Sequence, residues 1–502
     1  MRANESRFAG PVKPEPPRSF PVRAPSRFQL ACTAMSDDRT AALRADLSVL
    51  QDLGNRIVKS ATAGGATVAE CVLRTGSELS VTVRLGETEL VEDAGFRGAG
   101  LRVMKGNRVA STSTSDLTEG GIARFVEDAL EILELSQEDP FAGPVDPKLL
   151  CDPKSLPDLE LYDPRGGDLT AAQAIAEAAR GEAAARAFDP RITNSDGATM
   201  GRNAGGSVIV LSSGFTATTI GSYQSLSVVP LAEDEGGKKR RGYFWTAKRF
   251  MADLEDAAKV GEEAARRTLR KLGARTIPTG KYPVIFDPDA ARSMVGTFAG
   301  TAMGGSIWRK SSWLCDREKT RVASDLVTLV DDPFLLRGPG SRAFDGEGVA
   351  SRKNVVVENG VLEMYLCDSY AARKLNRETT ASAARGGGGG VGASTTNFFL
   401  KAGADSPEAI LKGTKRGLYV TEMMGFGFNA ITGDFSRGAA GFWIENGELA
   451  YPVSEVTISL NFKDLWQRVD AVGSDLRFDS STASPTFRVS EMTIAGGTGA
   501  DE

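Results

Sequence analysis

The 502-residue sequence contains no histidine. That absence removes a Ser-His-Asp triad, a Cys-His pair, an H-E-x-x-H zinc helix and a histidine general base from this chain. Chemistry near neutral pH is left to carboxylates, amines, hydroxyls or thiols, or to groups supplied by another molecule. Long apolar runs are missing too: no stretch of about 18 consecutive apolar residues occurs, which argues against a membrane-spanning helix. Cysteine is sparse. Cys32, Cys71, Cys151, Cys315 and Cys367 are scattered, odd in number and without a C-x-x-C, so neither a disulfide framework nor a zinc ribbon is indicated, and a reducing, cytoplasmic setting is expected. Nor is there an excess of positive charge. The 60 Lys+Arg against 65 Asp+Glu leave a net charge of −5, no footprint for direct nucleic-acid binding. The one basic run, Lys238 to Arg241 between Gly236-Gly237 and Gly242, reads as a solvated loop tip.

What is present is enough chain for two or three domains with substantial cores. Residues 1–35 are rich in Pro and Arg, lack the apolar segment of a secretory signal, and are expected to form a disordered extension, with Met35 an alternative start to Met1. From Ser36 to about Lys59, Leu43, Leu47, Leu50, Leu53 and Ile57 recur at helical spacing. Short alternating runs follow at Thr67–Arg74, Leu79–Leu85, Glu87–Glu92 and Gly98–Met104, and then a helix striped by Ile122, Phe125, Val126, Ala129, Leu130 and Leu133. These pieces predict an N-terminal α+β domain over 36–150, reaching about 230 if the central strands belong to it. Prolines from Pro140 to Pro164 mark an irregular connection. A central helix-strand region is expected over 165–280, with helices at Leu169–Phe188 and Asp253–Leu272. Residues 281–497 are expected to form a larger, β-rich C-terminal domain. The fold class is therefore α+β, a helix-covered antiparallel sheet followed by a second, strand-rich domain. Asn359-Gly360 and Asn446-Gly447, each between apolar runs, predict type I′ hairpins because both turn positions need φ > 0.

Most motifs that could carry chemistry fail on their own terms. Gly387-x-Gly389-x-x-Gly392 matches a dinucleotide fingerprint only because it lies in a glycine run with no βαβ unit around it. Phosphate-loop, nucleophile-elbow and Ser-x-x-Lys motifs are missing. The acidic clusters Glu233-Asp234-Glu235 and Asp331-Asp332 have oxygen ligands but not the spacing of a calcium loop, and read as solvated turns. Cys315 and Cys367 lie near Asp and Arg, without a base nearby. Five consecutive glycines, Gly386 to Gly390, suggest a flexible rim, with Gly386, Gly388 and Gly390 as its candidate residues. The densest segment runs from Gly425 to Trp443, where turn residues alternate with aromatics. It reads either as a loop holding an extended ligand, through Gly425, Gly427, Asn429, Thr432, Asp434, Arg437 and Trp443, or as tight turns whose aromatics fill the core with Asp434 and Arg437 ion-paired.

At this segment the sequence resembles the TldD/PmbA family of metallopeptidases, in its PmbA (TldE) branch. The resemblance is carried by Lys415 to Glu422, Met424-Gly425-Phe426-Gly427, Thr432 to Gly438, Gly441 to Glu448 and Tyr451 to Ile458. Upstream, Ala110 to Ser113, Arg309 to Ser312, Asp345 to Val349 and Asp368 to Leu375 agree as well, so that it covers roughly Met35 to Gly497.

The resemblance implies a two-domain α+β protein that pairs with a TldD-type subunit as a heterodimer. In the TldD branch, H-E-x-x-x-H on a helix holds zinc for hydrolysis of unfolded peptides. The corresponding helix here, Ala290 to Gly304, offers neither ligands nor a glutamate base, whereas zinc hydrolysis needs three protein ligands and a polarised water. The expectation is therefore a subunit with no catalytic or metal-ligating residue and no cofactor of its own, zinc residing in the partner. It would build interface and peptide channel, with the Gly425 to Trp443 segment near partner or substrate. The alternative is a homodimeric peptide-binding or scaffold protein without peptidase activity. A weaker third reading gives carboxylate catalysis to Glu422 and Asp434.

Overall fold

The computed structural model describes residues 27–496. Residues 1–26 of the expected extension lie outside the described residues, and its remainder enters the first helix, α1 (Arg27–Ala63). Two long strands follow, β1 (Val68–Arg84) and β2 (Glu87–Lys105), where the residue pattern predicts four short ones. Gly76, Gly95 and Gly98 interrupt the apolar alternation without interrupting the ladder, because a glycine still pairs its backbone. At Gly76 the missing side chain is used: a Cβ there would lie 2.6 Å from the Phe96 ring. β3 (Arg108–Thr114), α2 (Glu119–Leu135), α3 (Ala171–Ala187), β4 (Ile192–Leu211), β5 (Thr216–Glu233), β6 (Lys239–Arg241), β7 (Phe244–Lys248) and α4 (Ala257–Leu269) complete this half. The sheet order is β3-β2-β1-β4-β5-β6, with β7 also on β5. Strands from 36–150 and from 165–280 thus share one seven-stranded antiparallel sheet, joined where β1 pairs with β4. Part of the basic run expected as a loop tip is itself β6, paired with β5.

The two faces of this sheet differ because strand side chains alternate. Cys71, Leu73, Val208 and Val210 pack beneath α1 and α2. Leu79, Val81, Val83, Met200 and Val228 pack beneath α3 and α4 further along the same strands. The opposite face carries Glu70, Val72, Arg74, Ile209 and Ala217. Its apolar members meet Phe344 of the C-terminal half.

That half begins with β8 (Gly280–Phe286), α5 (Pro288–Thr301) and α6 (Gly304–Trp308). β9 (Leu329–Asp332), β10 (Asn354–Glu358), β11 (Val361–Leu362), α7 (Ser369–Lys374), β12 (Ala383–Arg385), β13 (Val391–Ala393) and β14 (Asn397–Leu400) come next. The chain ends with α8 (Pro407–Lys412), β15 (Arg416–Met424), β16 (Asp434–Glu445), β17 (Glu448–Asn461), α9 (Phe462–Gln467), β18 (Val469–Val472), β19 (Thr482–Ala483) and β20 (Phe487–Ala495). One sheet runs β17-β16-β15-β8-β20-β18, and β17 also pairs with β20, so five of its strands close into a ring. β8 and β15 are parallel, the other pairs antiparallel. A smaller sheet, β11-β10-β9-β14-β19, lies alongside. Phe286, Phe298, Trp313, Phe462, Trp466 and Phe487 form the aromatic centre, each stabilising the fold by about 1.5–3 kcal/mol on burial. Both Asn-Gly turns have the expected conformation, with φ of 45° and 82° at Asn359-Gly360 and 54° and 81° at Asn446-Gly447.

The proline-rich connection is pinned on α7. Arg373 donates to the carbonyls of Phe141 (2.7 Å), Gly143 (2.9 Å) and Pro144 (3.1 Å). Asp139 accepts from Tyr370 at 2.5 Å and from Lys374 at 3.1 Å. The Asp368 to Leu375 motif therefore has a structural task here: it ties the two halves together.

Candidate functional site

The helix named in the sequence reading is α5. Asp287, at the carboxyl end of β8, caps it by accepting from the Ala290 amide at 2.8 Å, and Pro288 occupies its first turn. Burial pushes the Asp287 carboxyl up to about 7, and Asp289 adds to the shift by repulsion. Ala290, Ala291, Met294, Val295, Phe298 and Ala299 face the core. The opposite face presents Arg292, Ser293, Gly296, Thr297 and Gly300 at helical spacing. Arg292 lies over the Trp245 ring at 5.2 Å and donates to Ser480 Oγ at 3.3 Å. Arg437 Nη1 donates to Ser293 Oγ at 3.0 Å, and Thr297 Oγ1 to the Ser293 carbonyl at 2.9 Å. Burial holds the Arg437 guanidinium below its usual range, and among the described residues its Nε has no hydrogen-bond partner. A guanidinium has no lone pair to give a cation, and hydroxyls bound in this way are poor zinc ligands. The donor set on this face does not fit a catalytic zinc. Among the described residues, no group of three or more His, Cys, Asp or Glu side chains could hold a metal ion.

Beside α5 lies a charged cavity of about 240 Å³, lined by Arg267, Arg270, Lys271, Glu422, Phe442 and Arg477 among others. Its charges are largely paired: Arg267 with Asp289 (3.0 Å) and Glu263 (2.9 Å), and Lys271 with Glu422. Arg270 covers the Phe442 ring at 4.5 Å. Glu422 and Asp434, paired as candidate carboxylates in the sequence reading, have separate partners. Asp434 accepts from Thr432 Oγ1 (2.6 Å) and Asn461 Nδ2 (3.0 Å), bonds that lower its pKa.

The Gly425 to Trp443 segment is a set of tight turns opening β16. Gly425 has φ of 77° and Gly433 of 84°, and any Cβ at Gly427 would overlap the Ser436 carbonyl. Asn429 Oδ1 accepts from the amides of Ile431 (3.0 Å) and Thr432 (3.3 Å). The ion pair between Asp434 and Arg437 does not form. The two are three positions apart on one strand and therefore point to opposite faces. Trp443 is 1% exposed and packs edge-on against Tyr282 at 5.0 Å, so an outside ligand does not reach its ring. The side chains these turns present outward are Phe426, 101% exposed, and Ile431, 59% exposed.

The glycine run forms the tip of the β12–β13 hairpin, seated on β2. Arg385 Nη1 donates to the Gly389 carbonyl at 3.1 Å, and Arg74 Nη2 to the Arg385 carbonyl at 2.6 Å. Gly387 and Gly389 approach Gly100 and Leu101 of β2, while Gly386, Gly388 and Gly390, expected in a flexible rim, are exposed. The acidic clusters are engaged as well. Asp234 accepts from Arg240 at 2.7 Å, Asp331 from Thr396 at 2.7 Å, and Asp332 pairs with Lys353 at 2.9 Å. Cys315 donates weakly to the Ile307 carbonyl at 3.6 Å. Cys367 is buried, which pushes its thiol up to about 12 and leaves it unreactive near neutral pH. The residue pattern did not reveal the buried trio Glu70, Arg102 and Arg385, whose only sequence signal is charge placed within strands.

The sequence matches the PmbA/TldA metallopeptidase domain 1 over residues 69–133, the central domain over 164–272 and the C-terminal domain over 279–496. This chain belongs to the PmbA/TldA metallopeptidase family. It is 39% identical to the metalloprotease PmbA of Escherichia coli O157:H7 over 433 residues, 86% of this chain and 93% of that one. Identity to the PmbA homolog of Haemophilus influenzae is 35%, over 92% of this chain and 99% of that one. The structure resembles that of a candidate modulator of DNA gyrase from Bacteroides thetaiotaomicron, with a TM-score of 0.83 and 28% identity over 89% of this chain and 98% of that one. The TldE of Thermococcus kodakarensis shares the fold, with a TM-score of 0.78 at 20% identity, covering 88% of this chain and 100% of that one. A metalloprotease TldD homolog of Buchnera aphidicola is 24% identical over 54% of this chain and 61% of its own length.

Proposed function

We propose that this chain is the non-catalytic, PmbA/TldE-like subunit of a cytoplasmic zinc peptidase complex acting on unfolded or extended peptides. A TldD-type partner supplies H-E-x-x-x-H and the zinc, and this chain supplies interface and part of the substrate channel. One observation carries the reading: on α5 the open face holds Arg292, Ser293 and Thr297, in a metallopeptidase family and in a chain without histidine. The occurrence of both PmbA and TldD homologs among the relatives supports a partner of that type. Phe426 and Ile431, held outward by glycine turns, are offered as partner-contact side chains on their exposure and their place in the Gly425 to Trp443 segment.

The test is co-expression with a TldD-type chain from the same genome, then size-exclusion chromatography, zinc quantification and an unfolded-peptide cleavage assay on each species. The expected result is a heterodimer with zinc and activity, and a lone chain with neither. Stoichiometric zinc and cleavage by the lone chain would sink the proposal. A stable homodimer that binds peptide and ignores the partner would instead establish the scaffold alternative.

A further inference from the structure

A second cavity, of about 890 Å³, opens between the N-terminal sheet and the C-terminal half. Its floor follows from strand register. Gly76, Gly205 and Gly221 lie side by side on β1, β4 and β5, and the next row is Arg74, Ser207 and Thr219. Val72, Ile209 and Ala217 form the row after that and pack against Phe344. The sheet thus meets the C-terminal half where its side chains are apolar and stands open at Gly205 and Gly221, with the Phe96 ring over Gly76. The segment from Leu156 to Tyr162 and the segment from Ser341 to Phe344 form the walls.

Charge in this cleft is one-sided. Arg44, Arg74, Arg249 and Arg342 line it, against Asp158 and Glu160. Glu160 is held by Arg337 at 2.7 Å, and Asp158 accepts from the Glu160 amide at 2.9 Å. Arg249 donates to the carbonyls of Ser222 (3.2 Å), Pro339 (2.6 Å) and Gly338 (3.4 Å) and is occupied. Arg342 differs: among the described residues its Nε and Nη2 have no hydrogen-bond partner, and both are closed off from solvent, so a ligand in the cleft pairs with them once the guanidinium turns toward it. The nearby carboxylates that act on it through space are already engaged. Asp331 accepts from Thr396, and Asp345 from the amides of Glu347 (2.9 Å), Val349 (3.0 Å) and Ala383 (3.2 Å). Guanidinium donors left without hydrogen bonds are costly to keep, and a planar fork of donors matches a carboxylate.

We propose that this cleft binds an acidic side chain of an extended peptide through Arg342, with Arg74 and Arg44 adding positive field and Phe96 and Phe344 packing on apolar neighbours. The proposal rests on the peptide-handling reading above only in choosing a peptide as the carrier of the carboxylate. Fluorescence anisotropy on the full-length chain tests it, with a fluorescein-labelled peptide of repeating Glu-Phe-Gly and its Gln-Phe-Gly counterpart as probes. The acidic peptide is expected to bind about tenfold or more tightly than the amide. Arg342→Met should abolish that margin, and Arg342→Lys should keep part of it. Thermal unfolding of both variants is the folding control: Arg342→Lys keeps the positive charge that buried Asp331 and Asp345 face and should unfold near the parent, so a weakened acid margin in Arg342→Lys is not lost folding. Equal affinity for the two peptides, or an acid preference unchanged in Arg342→Met, would overturn the proposal. Glutarate is the third arm. Acid preference with glutarate bound more tightly than the peptide keeps the carboxylate site, assigns it to a free acid, and leaves the partner reading untouched.

Discussion

Glu70 and Arg385 are 315 positions apart and meet at 2.8 Å in the seam between the two halves. Arg102, directly opposite Glu70 in the β1–β2 ladder, completes the trio at 3.1 Å. All three are buried. Burial pushes the Glu70 pKa up, but Arg385 and Arg102 outweigh it and hold the carboxyl below its usual range. Glu70→Gln leaves two buried guanidinium groups without a counter-charge, and the expected loss is about 3–5 kcal/mol, read by urea unfolding. The sign of the pH effect follows from the lowered pKa. The stabilisation is present above the unfolded value of 4.5 and is lost as pH falls through the folded value. The variant should therefore lose less stability on acidification than the parent, and an equal acid slope would count against the trio's role.

Gly100 tests the same seam through sterics. A Cβ there would meet the Gly387 carbonyl and lie 2.5 Å from the Gly389 amide, backbone atoms of the glycine run. Gly100→Ala should destabilise by about 1–3 kcal/mol through overpacking. Gly120→Ala, in α2 with nothing within 4 Å of the new methyl, should instead stabilise by about 0.5–1 kcal/mol. Differential scanning calorimetry of the pair separates close packing from a general intolerance of glycine replacement.

These residues also mark how far the sequence could be read. The Asn-Gly turns and the stripe on α2 were legible because φ > 0 and a 3.6-residue period are local demands. The family was legible from long motifs in the C-terminal half. Trp443 was misplaced among contact residues, since its glycine-rich neighbours suggest a surface loop while strand alternation turns it inward. The seating of the glycine run on the N-terminal sheet is not legible, because its anchor, Arg385, has its partners Glu70 and Arg74 on β1, more than 300 residues earlier in the chain. Register created the Gly76–Gly205–Gly221 row, and register across three strands is not written in any one of them.

Leu85 makes the β1–β2 turn with φ of 54°, a conformation that costs a β-carbon residue about 1–2 kcal/mol. Its amide and that of Gly86 donate to the two oxygens of buried Glu182 on α3, at 2.6 and 2.8 Å. The helix thus holds a strained turn in place. Leu85→Asn should raise stability by up to about 1 kcal/mol, as asparagine tolerates the left-handed region and Leu85 is already exposed. Glu182→Ala removes the acceptor of both amides and should cost about 1–3 kcal/mol. Hydrogen exchange at Leu85 and Gly86 is the local readout: protection should be lost in Glu182→Ala and kept in Leu85→Asn.

Glu347 predicts a pH dependence of opposite sign to that of Glu70. It is 2% exposed, and burial, reinforced by Asp345, pushes its carboxyl up to about 7 while the Ser369 amide, donating at 2.9 Å, opposes the shift. Between its unfolded value of 4.5 and about 7 the native state holds a proton that the unfolded chain has released, so stability falls as pH rises through this window. The size is on the order of 3 kcal/mol. Glu347→Gln keeps an acceptor for Ser369 and cannot ionise. Its unfolding free energy should decline less between pH 5 and pH 8 than that of the parent. Asp287, also pushed up to about 7, contributes the same slope to both proteins, so the difference between the two pH profiles isolates Glu347. Parallel profiles would mean that Glu347 stays ionised in the fold, and the seam around Asp345 and Ser369 would then have to carry a buried charge that its neighbours do not neutralise.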